Sequence, residues 1–372
     1  MSTRIFVAFS LMLCAAQGLA QSGNFRLDCQ IQGMNEGKAI LSIVSFSDTE
    51  SPVRDTAVIE KGQFTFKGAL KSPVLADISI LPNRLRMSVF LETGHMKMKG
   101  SVTDTTLSGM LRVNVSGSKS HQEYERVSSF KRNEIDSVFN RSRIEKDEER
   151  KAALRARVDE LNELITKNNI KFVQSHLNSA VSAYYMIFNT SDYNMPFSQL
   201  KHIVTNFGPV PKSTPYYRRI KDEFDILANI QPGEVAPDFS LNKPDGQSMS
   251  LSSLKGKLVL IDFWASWCLP CRQSFPRMKE LYAKFRNRGF EILGVPDDSK
   301  KEAWLKAMND DNLPWPQVID EFPEKYKPAR VGTLYGVHYI PSTVLVDKEG
   351  KIVDKNLDDK KLDETLEKML EK

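Results

Sequence analysis

Residues Leu258 to Trp264 form an unbroken run that is apolar except for Asp262, and a few residues later the chain reads Trp267-Cys268-Leu269-Pro270-Cys271-Arg272. A strand without polar alternation has to be covered on both faces, which places it in the middle of a sheet with helices packed on either side. A C-x-x-C where such a strand hands over to a helix is a redox arrangement. One helical turn separates the two thiols, so they can close a disulfide on each other.

Cys268 falls at the helix N-terminus, where unpaired N–H groups and the macrodipole favour an anion. Its thiolate is stabilised, and its pKa is expected below that of a free thiol. Pro270 suits the first turn, where a missing N–H costs nothing. These positions make Cys268 the nucleophile and Cys271 the resolving thiol. Asp262, with apolar neighbours on both sides, is expected to lie buried below the pair with a raised pKa and to accept the Cys271 proton, directly or through a water. The alternative for Asp262 is a strand-end carboxylate facing solvent. The alternative for the cysteines is half of a zinc site, which needs two more ligands, whereas Cys29 is the only other cysteine once the expected signal peptide, which carries Cys14, is removed. No metal and no cofactor is expected.

Downstream, a helix from about Cys268 to Arg288 precedes a strand at Phe290 to Val295, a helix carrying Trp304 and a strand at Thr343 to Asp347. A Lys348-Glu349-Gly350 turn, a short strand near Ile352 and a terminal helix from Lys360 follow. Strand and helix in alternation, with a closing hairpin, give an α/β fold.

Asp262-Phe263-Trp264-Ala265, Trp267-Cys268, Pro270-Cys271 and Pro276, together with Tyr335 to Thr343 around Ile340-Pro341, resemble the thioredoxin superfamily. Gly233 to Phe239, and the long insert with Trp304 and Trp315-Pro316, are similar to its exported TlpA/ResA branch. The resemblance runs from about Ile230 to the end of the chain. It implies a thioredoxin fold, a cis bond at Pro341 next to the catalytic Cys268, Cys271 and Asp262, and a substrate surface of Trp267, Leu269, Pro270 and Ile340. It also implies disulfide exchange with protein substrates through a mixed disulfide, and a membrane electron donor of the DsbD/CcdA kind. Ile340 before the proline and the buried Asp262 favour a reductase. Leu269 stands where ResA-like enzymes often place Glu. Ala236-Pro237-Asp238-Phe239 is also shared with peroxiredoxins, but the hydroxyl residue they need three positions before the cysteine is Ala265 here. A thiol peroxidase and a non-catalytic envelope binding protein are the alternative readings.

Upstream the grammar differs. From Phe25 to about Ser118 apolar residues alternate (Phe25, Leu27, Cys29, Ile31; Val74, Ala76, Ile78, Ile80; Met96, Met98), which predicts a small antiparallel β domain over residues 21–118. Cys29 falls on the apolar face and reads as a buried, inert thiol. Residues 119–230 read as helical, with Leu154, Val158, Leu161 and Ile165 at helical spacing. Phe172, Val173, Leu177, Val181, Tyr184 and Ile187 make the next helix, and two more lie near Pro196–Phe207 and Pro215–Ile230. His121, His176 and His202 lack the spacing of metal ligands. Gln231-Pro232-Gly233 marks the linker to the domain at 231–372.

Arg4, the apolar run Ile5 to Ala16 and Gly18-Leu19-Ala20 read as a signal peptide, residues 1–20, which puts the mature protein in the periplasm or cell envelope. The run is too short to cross a bilayer. A net charge of +5 on 372 residues is too mild to mark a nucleic-acid partner.

Overall fold

The computed structural model describes residues 23–44, 52–105, 110–188, 195–320 and 329–371. The expected signal peptide, residues 1–20, lies outside them. The described residues divide into two compact units: those up to Ile187 with Asn206–Arg218, and those from Phe188 to Thr205 with the chain from Arg219 onward.

In the first unit eight strands, β1 (Gly23–Gln32), β2 (Glu36–Ile43), β3 (Val53–Glu60), β4 (Gln63–Leu70), β5 (Val74–Leu81), β6 (Leu85–Leu91), β7 (Gly94–Thr105) and β8 (Leu111–Ser116), form one sheet in the order β6-β5-β2-β3-β4-β1-β7-β8. The alternating residues are the ones buried: Leu27, Ile31, Ala76, Ile78, Ile80, Met96 and Met98 are all inaccessible to solvent. Neighbours pair antiparallel, with one exception. β1 runs parallel to β7, Leu27 opposite Met96 and Cys29 opposite Met98. At the two outer strands, Arg86 of β6 forms an isolated bridge with Met110, the residue just before β8, which curls the sheet toward a barrel. Cys29 is a free, buried thiol in this core, and burial pushes its pKa far up.

The helices that follow are α1 (Lys119–Ser128), α2 (Arg132–Ile144), α3 (Glu148–Ser175), α4 (Ala180–Met186), α5 (Phe197–Asn206), α6 (Pro209–Ser213) and α7 (Pro215–Asn229). Side-chain oxygens of Ser118, Asp147 and Ser179 cap α1, α3 and α4. One expectation changes here. Phe172 and Val173 close α3, and the apolar set assigned to a single helix breaks at His176. The break is stabilised by the Ser179 cap and by the Ser182 hydroxyl, which donates to the His176 carbonyl over 2.7 Å.

The second unit holds α5, most of α7, the hairpin β9 (Ser240–Asn242) and β10 (Ser248–Ser250), and a four-stranded sheet in the order β12-β11-β13-β14. Its strands are β11 (Leu258–Trp264), β12 (Phe290–Pro296), β13 (Ser342–Val346) and β14 (Ile352–Lys355). The remaining helices are α8 (Leu269–Phe285), α9 (Lys301–Asp310), α10 (Arg330–Leu334) and α11 (Asp359–Leu370). β11 is central, parallel to β12 and antiparallel to β13, and every residue in it is buried. This is a thioredoxin-like arrangement, preceded by a β-rich domain and a helical region. Leu258, Leu260 and Trp264 of β11 pack with Phe275, Phe285 and Leu366 in one core cluster. Each such side chain contributes about 1.5–3 kcal/mol on burial, which fixes the strand-to-helix junction firmly. No described helix is long and apolar enough to cross a membrane.

Candidate active site

β11 delivers the chain to the C-terminal edge of the sheet, where Ala265 to Trp267 turn it into α8. The turn closes with the Cys268 N–H donating to the Ala265 carbonyl over 3.0 Å. Cys268 is the N-cap of α8: its carbonyl accepts from Arg272, and its Sγ accepts the N–H of Cys271 at 3.2 Å. Pro270 falls in the first turn, where it costs no hydrogen bond. Cys268 and Cys271 are joined in a disulfide with their Cα atoms 5.4 Å apart. Both are buried, Cys268 at 4% exposure and Cys271 at 1%. The side chains flanking them are not: Trp267 and Leu269 are 66% and 65% exposed, and Pro270 is also open to solvent.

Asp262 is 3% exposed, and its Oδ2 has no hydrogen-bond partner among the described residues. Side chains alternate along a strand, and Leu260 and Trp264 on either side of it join the cluster that contains Cys268, Cys271 and Phe275. Asp262 therefore shares the face on which the cysteines lie. Burial pushes its pKa up to about 7, because the charged form has little to solvate it.

The bond between Ile340 and Pro341 is cis. β13 begins at the next residue, Ser342, which pairs with Phe263 near the C-terminal end of β11. The Ile340-Pro341 loop thus emerges at the sheet end from which Cys268 departs. Ile340 is half-buried and packs on the cluster that includes both cysteines, while Pro341 is exposed. All eight residues expected at the site from sequence, Asp262, Trp267, Cys268, Leu269, Pro270, Cys271, Ile340 and Pro341, lie on or under this end of the sheet.

Several residues that hold the site are absent from the sequence reading. Asp298, buried just beyond β12, takes the Ser266 N–H on Oδ2 at 2.8 Å and the Ser266 hydroxyl on Oδ1 at 2.5 Å. From the other side, Arg272 reaches the Ser266 carbonyl at 3.5 Å and is held by Asp311 through two bonds, Nε to Oδ2 at 2.7 Å and Nη2 to Oδ1 at 3.0 Å. Every polar group of Ser266, two residues before Cys268, is therefore engaged. Asp297 is next to Asp298, and its N–H donates to the Trp264 carbonyl at 2.7 Å. Burial and the charges of Asp320 and Asp298 raise its pKa to about 6. It lines a small cavity of about 30 Å³ with Phe263, Asp320, Val337 and Ile340. The signal that these two acids belong near a site is positional: they follow the C-terminal end of a sheet strand, where α/β folds place their ligands.

Residues 232–355 match the AhpC/TSA family, and residues 25–124 match a domain of unknown function, DUF4369. The chain is 36% identical over 125 residues to thiol-disulfide oxidoreductase ResA of Bacillus thuringiensis, covering 34% of this chain and 69% of that protein. It is 34% identical over 149 residues to ResA of Bacillus cereus, covering 40% and 82%. Among solved structures, the thioredoxin domain of a thiol-disulfide oxidoreductase from Bacteroides vulgatus is 38% identical, with 38% of this chain and 98% of that one covered and a TM-score of 0.35. With a C-x-x-C disulfide at the head of α8 and relatives of this kind, the chain belongs to the ResA-like thiol-disulfide oxidoreductases of the thioredoxin superfamily.

Proposed function

We propose that this oxidoreductase works outside the cytoplasm as a reductase of protein disulfides, with residues 231–372 as its catalytic module. The observation that carries the reading is the N-cap geometry of Cys268, whose sulfur is the one that receives a backbone N–H from α8. In the reduced enzyme the Cys268 thiolate attacks one sulfur of a substrate disulfide. A Cys268–substrate bond forms, and the other substrate sulfur leaves as a thiolate and takes up a proton. Cys271 then gives its proton to Asp262 and attacks Cys268 Sγ. The second substrate thiolate departs, and two electrons have passed to the substrate. The enzyme is left with the Cys268–Cys271 disulfide, and a membrane donor of the DsbD/CcdA kind resupplies the electrons.

Trp267, Leu269 and Pro270 offer an exposed apolar collar for the substrate. Ile340, with its backbone beside Pro341, can pair with an extended segment as an added strand. Ala265 supplies no hydroxyl for a peroxide, which favours disulfide exchange over peroxidase chemistry. The reading of residues 1–20 as a signal peptide supports export.

Cys271→Ala tests the mechanism, because it removes the thiol that releases the substrate. Non-reducing gels of cell-envelope extract are expected to show high-mass adducts that collapse with dithiothreitol and vanish in Cys268→Ser/Cys271→Ala. Adducts that persist in the double variant would assign the reactivity to Cys29. A reduction potential nearer that of thioredoxin, about −270 mV, than that of DsbA, about −120 mV, separates reductase from oxidase.

A further inference from the structure

The C-terminal half of α7 packs on the segment that leads into Ile340-Pro341, all within the second unit. Gly336 adopts a φ of +60°, and a Cβ built on it would lie 3.2 Å from Leu227, 3.4 Å from Ile230 and 3.5 Å from Ile226. The absence of a side chain there lets helix and loop approach closely. Two residues on, His338 Nε2 lies 2.6 Å from Glu223 Oε1, with the Glu223 side chain only 15% exposed. Glu223 and Leu227, one turn apart, share a helix face with Ile226 and Ile230. Phe224 stacks on Phe197 of α5 with ring centroids 5.5 Å apart, which holds this part of α7 in the unit. The helix ends before residue 232, where the AhpC/TSA match begins. A support from outside the family match therefore grips the loop two residues before Ile340.

We propose that Glu223 and His338 are positioning residues for substrate docking: together with the apolar face of α7 they fix Gly336 to His338, and so set where the Ile340 backbone meets the substrate segment. The inference rests on the reading of Ile340 as the strand that receives the substrate. A loop already held in its binding shape loses little freedom when the substrate arrives, so the clasp acts on affinity. The sulfur chemistry is governed by α8 and by the Ser266 contacts.

The test uses the full chain and two probes, insulin as a protein disulfide with dithiothreitol as electron source, and dithiobis(nitrobenzoate) as a small one. Glu223→Ala and His338→Ala are expected to raise KM for insulin about tenfold while kcat stays within about twofold. Their rates with dithiobis(nitrobenzoate) and their reduction potentials should match those of the parent. His338→Gln keeps an N–H donor for Glu223, so it should come back to within about threefold of the parent KM. An unchanged insulin KM in both alanine variants, with the parent active, overturns the clasp alone. Equal losses with both probes also overturn it, since they mark a purely structural pair. A parent that reduces dithiobis(nitrobenzoate) but not insulin overturns the reading of Ile340, and the clasp with it.

Discussion

The backbone N–H of Cys271 points at the Sγ of Cys268 across 3.2 Å. In the reduced enzyme that donor meets a thiolate, and a hydrogen bond to an ionised acceptor is about twice as strong as a neutral one.

Cys268 is therefore expected to be the more acidic thiol, with a pKa below the ~8.5 of free cysteine. Alkylation of the reduced protein at mildly acidic pH, followed by peptide mapping, should label Cys268 first. Faster labelling of Cys271 would reverse the assignment of nucleophile and resolving thiol.

Asp262→Asn should slow release of substrate more than its capture. A carboxylate accepts a proton only when ionised, so the release step in the parent is expected to speed up as pH rises through about 7. Stopped-flow mixing with a small disulfide should show normal formation of the mixed species in the variant, delayed decay and no inflection near that pH. Equal slowing of both phases would place Asp262 in the fold rather than the chemistry.

The same substitution should alter stability with a definite sign. The Asp262 pKa rises from 3.8 in the unfolded chain to about 7 in the folded one. Its contribution is fully present below the unfolded value and is lost as pH rises through the folded one. At about 1.4 kcal/mol per pH unit, the ionised carboxylate costs on the order of 4 kcal/mol above pH 7. Urea unfolding of the oxidised protein should show Asp262→Asn gaining on the parent from pH 4 to 7 and then levelling off. A gap that stays constant with pH would refute the buried, uncompensated carboxylate.

Asp298→Ala should destabilise more than Ser266→Ala. It leaves both the N–H and the hydroxyl of the half-buried Ser266 without their acceptor, at about 1 kcal/mol for each lost bond, whereas Ser266→Ala keeps the N–H bond to Asp298. Denaturant midpoints of the two variants and their double decide the matter. A Ser266→Ala midpoint as low as that of Asp298→Ala would show that the hydroxyl alone carries the contact.

The catalytic unit was legible because its signals are local. An unalternated strand can only be central, and a C-x-x-C with proline in the first turn fixes a helix start to within a residue of Leu269. The β segment was half legible. Alternation tells which side chains face inward, as at Leu27 and Ile78, but not which strands are neighbours, so the parallel contact of β1 with β7 was invisible. The break at His176 has no glycine or proline to announce it, and Ser179 is an ordinary helix residue until its hydroxyl is seen to cap. Asp298, Asp311 and Glu223 were missed for a related reason. A single carboxylate in a loop or helix carries no pattern, and its role exists only once the fold brings Ser266, Arg272 or His338 to it.

Cys29 gives the β domain a gauge of its own. It is sealed between Phe64 on one neighbouring strand and Met98 on the other, with its thiol held protonated by burial. A reagent can reach it only in molecules where β1 has come away from the sheet, so its rate of modification in native buffer reports how often that occurs. Because the catalytic pair is already consumed in the oxidised protein, this slow signal stands clear of the enzyme's own sulfur chemistry. The opening of the β domain is thereby countable, thiol by thiol.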